Sequence, residues 1–208
     1  MLESPRMSKL RAKKIKLILF DVDGVLTDGK IWIFPSPAGQ QSVLEQLSNR
    51  GDEADRGVGG TSLIEAKGFN AHDGAGISLA RLGGIKTGLI TKRVSETVAL
   101  RARDLKMEHV YQGTHNKASA LEQILEKDGI TGSEVAFVGD DVIDLPVMRL
   151  CGLRIAVKNA RPEVKSEAHW VTPHAGGDGA ARDAIEYILK AQGKWKKVVA
   201  AYIGERSR

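Results

Sequence analysis

The chain has 208 residues, of which 42% are hydrophobic and 27% charged, a balance typical of a protein with a buried core. No apolar run approaches the roughly 18 residues of a transmembrane helix, so the sequence excludes an integral membrane protein. The length fits one domain, residues 1–208. The single cysteine, Cys151, excludes an internal disulfide. An acidic motif directly follows the first apolar run, and cleavage of that run as a leader would destroy the motif. We therefore expect a cytoplasmic protein without a cleaved leader.

The net charge of +5 resides in the two ends of the chain. Residues 1–16 and 190–208 each contain six basic side chains and one acidic one, so the rest of the chain has a net charge of −5. The basic residues do not form a groove with interleaved aromatic side chains. We therefore expect solvated basic tails at residues 1–14 and 193–208, and no nucleic-acid partner.

Apolar runs typical of buried parallel strands alternate with helical patterns along the chain. The strands are expected at residues 15–20, 85–90, 109–111, 134–138 and 153–157. The helices are expected at residues 76–82, 95–106, 117–127, 144–150, 161–167 and 179–191. This alternation predicts a doubly wound α/β fold with a mostly parallel sheet, in which ligands bind at the carboxyl ends of the strands.

Residues 35–68 have no clear hydrophobic period and are rich in glycine and polar side chains. A segment of this length without structure is unusual within a compact domain, so we interpret it as an excursion from the core. Its ends are expected to pair as strands at about 30–34 and 63–69, with a mobile extension between them. A longer loop adds little entropic cost, so the fold tolerates such an extension.

Two acidic clusters follow predicted strands. Asp21 and Asp23 come directly after the first strand, and Asp140, Asp141 and Asp144 follow the fourth. Carboxylates beside a buried strand are costly unless a cation or a reaction uses them. If the two strands are neighbours, these side chains converge, and hard oxygen ligands in this number favour Mg²⁺. Asp144 has an alternative interpretation as the N-cap of the helix that follows it.

Hydroxyl and basic side chains follow the other predicted strands. Thr91, Lys92 and Arg93 come after the second core strand, and Lys117 opens the helix after the third. Phosphoryl transfer needs an anionic nucleophile, a divalent cation and donors for the phosphoryl oxygens. These residues together predict a phosphoryl-transfer site at the carboxyl edge of the sheet.

In this order the motifs resemble those of the haloacid dehalogenase (HAD) superfamily, and more narrowly the family of 3-deoxy-D-manno-octulosonate (KDO) 8-phosphate phosphatases. The similarity covers about residues 15–193, apart from 36–66. It is carried by DVDGVLTDG (21–29), FNAHDGAGI (69–77), LITKR (89–93), YQGTHNK (111–117), VGDDVIDLPVM (138–148) and GGDGAARDAIEYILKAQG (176–193). The resemblance implies an enzyme, a Mg²⁺-dependent phosphomonoesterase that hydrolyses KDO 8-phosphate through a phosphoaspartate in lipopolysaccharide precursor synthesis.

The resemblance also implies a role for each matching residue. Asp21 is expected as the nucleophile and Asp23 as the general acid and base, while Thr91 and Lys117 hold the phosphoryl group. The expected Mg²⁺ ligands are Asp21, the backbone carbonyl of Asp23, Asp140 and, through water, Asp141 or Asp144. The expected contacts to the sugar-acid phosphate are Asp23, Asn70, Ala71, His72, Asp73, Gly74, Arg93, Arg101 and Lys117.

Two positions depart from the family pattern. Lys92 stands where the family usually has glycine, and His72 where it has arginine. Both departures affect the identity of the substrate more than the catalytic mechanism. An acylneuraminate or related nine-carbon keto-acid 9-phosphate therefore remains an alternative substrate. A catalytically silent HAD-like partner module is a further alternative, although such a module has no reason to retain the acidic, hydroxyl and lysine motifs.

The spacing of the motifs leaves no room for a large cap domain. Residues 91–117 accommodate a helix and a short strand, and residues 29–69 accommodate an enlarged hairpin. The resemblance therefore implies a HAD-like three-layer α/β/α fold with a β-hairpin flap at about residues 30–69. It also implies a homotetramer, in which neighbouring subunits close the site with flap hairpins and C-terminal tails.

Overall fold

The computed structural model describes residues 4–35 and 63–206. The strands are β1 (Leu17–Phe20), β2 (Trp32–Pro35), β3 (Leu63–Ala66), β4 (Lys86–Ile90), β5 (His109–Tyr111), β6 (Val135–Gly139), β7 (Leu153–Ala156) and β8 (Trp170–Val171). The helices are α1 (Pro5–Ala12), α2 (Ala71–Leu82), α3 (Glu96–Asp104), α4 (Lys117–Asp128), α5 (Leu145–Arg149), α6 (Pro162–Glu167), α7 (Ala180–Ala191) and α8 (Trp195–Arg206).

Six parallel strands form the central sheet in the order β5–β4–β1–β6–β7–β8. β1 is completely buried and lies between β4 and β6, with Ile18 opposite both Thr87 and Ala136. The chain leaves β1 toward β4 and leaves β6 toward β7, so the connections diverge between β1 and β6. A crevice at such a divergence is where open α/β sheets bind ligands. The α/β fold with a parallel sheet is confirmed.

Both ends of the chain are helical in the described residues, whereas the sequence predicted solvated basic tails. Helix α1 buries Ser8 and Ala12, and helix α8 buries Val198. Trp195 packs beneath two cations, with the Arg182 guanidinium 5.3 Å and the Lys190 ammonium 5.2 Å from its ring centroid. These helices were missed because charged side chains obscure their short apolar faces. Within residues 4–35 and 63–206, none of the helices has the length and apolar character to cross a bilayer.

A separate two-stranded hairpin, which we call the flap, is formed by β2 and β3. The strands pair antiparallel, with Trp32 opposite Ala66 and Pro35 opposite Leu63. Trp32, Ile33 and Phe34 are all exposed along β2. The middle of the segment that was expected to be a mobile extension, residues 36–62, lies outside the described residues.

A glycine-rich segment near the C-terminus packs on the loop that follows β1. The Gly177 amide donates a hydrogen bond to the Val25 carbonyl at 3.0 Å. A Cβ atom on Gly176 would lie 1.7 Å from the carbonyl oxygen of Gly24, so no larger residue fits there without moving the backbone. This contact holds the loop that carries the first acidic motif.

We predict that Gly176→Ala destabilises the protein by about 1–3 kcal/mol, because the added methyl group forces the two backbone segments apart. The measurement is the free energy of unfolding in urea. Gly204→Ala is the matched control, because no atom lies within 4 Å of the Cβ it would add. We expect this control to be neutral or more stable by up to about 1 kcal/mol, since alanine favours a helix over glycine. Equal stability of the two variants would contradict the prediction.

Candidate active site

The parallel register brings the two acidic motifs together. Phe20 in β1 lies opposite Val138 in β6, and the Asp21 amide donates to the Val138 carbonyl at 3.0 Å. Asp21 and Asp140 therefore follow neighbouring strands at the same edge of the sheet. Thr91 follows β4 on the other side of β1 and is buried, and its role in the site stays a prediction.

Lys117 is the buried cation at the centre of this edge. Its Nζ atom lies 2.7 Å from Asp21 Oδ1 and 2.7 Å from Asp144 Oδ1. Lys117 is the first residue of α4, where the helix dipole disfavours a positive charge, so its position depends on the two carboxylates. Asn116 begins this helix by accepting hydrogen bonds from the Ala118 and Ser119 amides.

Asp144 orders the turn after β6. Its side chain is fully buried, and Oδ2 accepts hydrogen bonds from the amides of Asp140 at 3.0 Å and Asp141 at 3.4 Å. Asp144 occupies the N-cap position of helix α5, as the alternative interpretation expected, but its side chain makes no capping hydrogen bond to that helix. Its two oxygens instead join the backbone of the second acidic motif to Lys117.

Three carboxylates form a group that could hold a metal ion. Asp21, Asp140 and Asp144 each offer one oxygen, and these oxygens lie within 4.8 Å of one another. Asp140 Oδ1 is buried and has no hydrogen-bond partner, as expected of an atom that would coordinate a cation. Hard oxygen donors of this kind fit Mg²⁺. Asp141 is exposed and accepts from the Val142 amide at 2.6 Å, so its part in metal binding stays a prediction.

Burial and the neighbouring charges at this site shift three pKa values. Burial, reinforced by Asp144, raises the pKa of Asp21 to about 6. Burial together with Asp144, Asp21 and Asp141 raises the pKa of Asp140 to about 7. Burial alone would lower the pKa of Lys117, but the Asp144 and Asp21 carboxylates outweigh it and raise that pKa. The lysine therefore stays charged, and the carboxylates retain a net negative charge that a divalent cation would offset.

A second charge cluster surrounds Asp23 and was not predicted from the sequence. Lys67 Nζ donates a hydrogen bond to Asp23 Oδ1 and lies 3.5 Å from Glu65 Oε1. Arg93 Nη2 lies 2.6 Å from Glu65 Oε2, and Arg93 Nε lies 3.7 Å from Asp23 Oδ2. Glu65 and Lys67 are two residues apart at the end of β3, and this spacing, which places both on one face of a strand, was the available signal.

The expected substrate loop at residues 70–74 is instead the start of helix α2. Asn70 is its N-cap and accepts from the His72 amide at 2.7 Å. Asp73 and Gly74 are buried, and Asp73 Oδ1 accepts from the Arg182 amide at 2.8 Å, so this carboxylate is directed at α7. Asn70, Ala71 and the exposed His72 do line an open groove of about 530 Å³ beside Trp32.

Arg93 and Arg101 have different surroundings although they are eight residues apart. Arg93 is about half exposed and is paired with Glu65. The Arg101 guanidinium lies 5.8 Å from the centroid of the Phe69 ring, and a Cβ atom on Gly74 would lie 2.5 Å from Arg101 Nη2. The structure thus places Arg101 against the first turn of α2. Lys92 is exposed beside Arg93.

Comparison with known proteins identifies the family of this chain. A family model for haloacid dehalogenase-like hydrolases matches residues 90–183. The 3-deoxy-D-manno-octulosonate 8-phosphate phosphatase of Escherichia coli (strain K12) is 39% identical over 184 residues, which cover 88% of this chain and 84% of that protein.

Two solved structures have a similar fold. A hydrolase of HAD subfamily III A from Legionella pneumophila has a TM-score of 0.79 and 34% identity, covering 96% of this chain and 95% of that one. The KDO 8-phosphate phosphatase of Moraxella catarrhalis, in complex with magnesium, phosphate and KDO, has a TM-score of 0.79 and 32% identity, covering 96% and 99%. The chain is therefore a hydrolase of the HAD superfamily and belongs to the family of the KDO 8-phosphate phosphatases.

Proposed function

We propose that the protein is a Mg²⁺-dependent phosphomonoesterase that hydrolyses KDO 8-phosphate to KDO and phosphate. The observation that carries this proposal is the position of Asp21, which is held by buried Lys117 beside Asp140 and Asp144. The named activity of relatives 39% identical supports the substrate, as does the Moraxella structure with its magnesium, phosphate and KDO. We also propose that the reaction supplies lipopolysaccharide precursor synthesis in the cytoplasm.

In the first step, a carboxylate oxygen of Asp21 attacks the phosphorus atom. The bond from phosphorus to the sugar oxygen breaks, and Asp23 gives its proton to the departing alkoxide. The product of this step is a phosphoaspartate on Asp21. Lys117 and the Thr91 hydroxyl donate hydrogen bonds to the phosphoryl oxygens, which carry charge in the transition state. Mg²⁺, held by Asp21, the Asp23 carbonyl and Asp140 with support from Asp141 or Asp144, would neutralise part of the phosphoryl charge.

In the second step, water attacks the phosphoaspartate. Asp23, now ionised, takes a proton from the water as the bond between phosphorus and the Asp21 oxygen breaks. Phosphate is released and the Asp21 carboxylate is restored. The same residue thus acts first as acid and then as base, which returns the site to its starting protonation.

The sugar acid is proposed to bind along the groove beside the flap. The start of α2, residues 70–74, offers backbone amides and His72, and Arg93 and Arg101 supply positive charge for the substrate carboxylate. Lys92 adds a further cation near this end of the site. These contacts would distinguish KDO 8-phosphate from a nine-carbon keto-acid 9-phosphate by the length of the carbon chain between carboxylate and phosphate.

We also propose that the chain is one HAD-like domain without a large cap, and that it assembles as a homotetramer. The support is the exposed apolar row of Trp32, Ile33 and Phe34 on the flap, since such rows are commonly covered by another protein surface. In this arrangement the flap of one subunit and the C-terminal segment of another would close each site.

We predict that Asp21→Asn lowers phosphate release from KDO 8-phosphate by about 10³-fold or more, because the covalent route requires the carboxylate. Phosphate release is measured with Mg²⁺ and with EDTA, for KDO 8-phosphate and for acylneuraminate 9-phosphate. Asp104→Asn, at an exposed acid on α3, is the control and should retain full activity. Activity of the parent in EDTA, or preference for the nine-carbon substrate, would contradict the proposed cofactor or substrate respectively.

The raised pKa values of Asp21 and Asp140 predict pH-dependent stability. Without metal, the folded protein binds protons more tightly than the unfolded chain, so this site loses stability as pH rises from about 4 to about 7. Mg²⁺ competes with these protons, so it should raise the melting temperature by several degrees at pH 8 and by less at pH 5. Calorimetry measures both shifts. Asp140→Asn should reduce the shift at pH 8, and an undiminished shift would argue against this metal site.

The proposed assembly predicts that Trp32→Ser with Phe34→Ser lowers the oligomeric state, because it removes apolar area from the subunit contact. Sedimentation velocity measures the mass of the parent and of the double variant. Leu100→Ser, which changes an exposed leucine on α3, is the control and should leave the mass unchanged. A monomeric parent would rule out the tetramer.

A further inference from the structure

Lys67 is a fully buried lysine that neither the sequence motifs nor the proposed mechanism uses. It is the first residue after β3 of the flap, and none of its side chain is exposed. A buried ammonium group is costly unless carboxylates compensate it. Lys67 has two such partners, Asp23 and Glu65. The flap therefore places a positive charge directly against the residue proposed as the general acid.

The two oxygens of Asp23 are not equivalent in this arrangement. Oδ1 accepts the hydrogen bond from Lys67. Oδ2 has Arg93 Nε at 3.7 Å, which is longer than a hydrogen bond, and the Arg93 Nη2 atom is engaged with Glu65 at 2.6 Å. Lys67 thus anchors one oxygen, whereas the other faces Arg93 and has no hydrogen bond among the described residues.

We propose that Lys67 is a positioning residue, which anchors Asp23 Oδ1 so that Oδ2 faces the reacting oxygen. The proposal rests on the role given to Asp23 in the proposed function. When the bond from phosphorus to the sugar oxygen breaks, its electron pair stays on that oxygen, and the proton on Asp23 Oδ2 moves there. A carboxyl group that can rotate would present this proton in the correct direction for a smaller fraction of the time.

The geometry also couples the flap to the chemistry. Glu65 lies in β3 of the flap and contacts Arg93, and Lys67 directly follows β3 and contacts Asp23. A displacement of β3 would therefore move the anchor of Asp23. The flap would then influence proton transfer as well as access to the site.

Substrates with different leaving groups distinguish the positioning role of Lys67 from a general structural role. A sugar alkoxide is a poor leaving group and needs the proton from Asp23, whereas p-nitrophenolate is a stable anion that departs without one. The constant kcat/KM covers the steps up to departure of the leaving group, so it isolates the step in which Asp23 acts as an acid. Loss of the Lys67 anchor should therefore affect sugar phosphates and spare p-nitrophenyl phosphate.

The test compares Lys67→Met with the parent on KDO 8-phosphate, or another sugar phosphate that the parent accepts, and on p-nitrophenyl phosphate. We expect kcat/KM for the sugar phosphate to fall at least about tenfold through kcat, since general acids contribute about 10²–10⁴-fold. The value for p-nitrophenyl phosphate should change less than about twofold. Lys67→Arg, which keeps the charge, should recover most of the loss. Lys30→Met, at an exposed lysine paired with Asp28, is the matched control and should behave as the parent.

A double variant tests whether Lys67 acts through Asp23. Asp23→Asn combined with Lys67→Met should be no slower on the sugar phosphate than Asp23→Asn alone, because the anchored group is already lost. Additive losses would overturn the proposal, as would equal losses on both substrates or no loss at all. Lys67→Gln keeps hydrogen-bond donors without charge, and failure of both it and Lys67→Met to fold would show a purely structural role.

These outcomes are distinguishable from failure of the proposed function. If KDO 8-phosphate is not the substrate, the parent enzyme itself will not release phosphate from it, before any variant is compared. If Lys67 does not position Asp23, the parent will be active and the variants will lack the difference between the two leaving groups.

Discussion

The buried ammonium of Lys117 between Asp21 and Asp144 is the interaction on which the active-site edge depends. It joins the loop after β1, the turn after β6 and the start of α4 by two contacts of 2.7 Å. Removing one member of a buried ion pair typically costs about 3–5 kcal/mol, because the other charge is left without compensation. This one lysine faces three carboxylates, and burial together with the neighbouring carboxylates raises the pKa values of Asp21 and Asp140. The same constraint that holds the loops together thus creates a preference for a divalent cation.

Close backbone approach keeps these loops in place. Gly24 has a φ of +94°, and a Cβ atom there would lie 2.2 Å from Asp140 Oδ2, so the first acidic motif requires glycine to meet the second. On its other side, the same loop is packed against Gly176. Segments far apart in the sequence therefore hold the loop that carries Asp21 in place. Such fixed geometry is what phosphoryl transfer needs, since most of its catalysis comes from positioning and electrostatics.

The flap contributes charge to the site as well as a surface above it. Glu65 pairs with Arg93, a residue that the family resemblance assigns to the substrate. A substrate carboxylate would have to share this arginine with Glu65 or displace it, which makes the position of the flap relevant to substrate binding. Because Lys67 contacts Asp23, the position of the flap is also relevant to Asp23. In the proposed mechanism, substrate binding and proton transfer would thus be connected through the contacts of Glu65 and Lys67.

The sequence by itself determined the parallel α/β sheet and the edge at which Asp21, Asp140 and Lys117 meet. It could do so because apolar periodicity is local and because strands in this fold end on the same side of the sheet. Only the tertiary structure decided that Asp73 binds the Arg182 amide, 109 residues away, and that Lys67 binds Asp23, 44 residues away. The terminal helices likewise depend on packing, as Val198 and Trp195 show. Hydrogen bonds and ion pairs between distant segments leave no period in the sequence, so their partners are known only once the chain has folded.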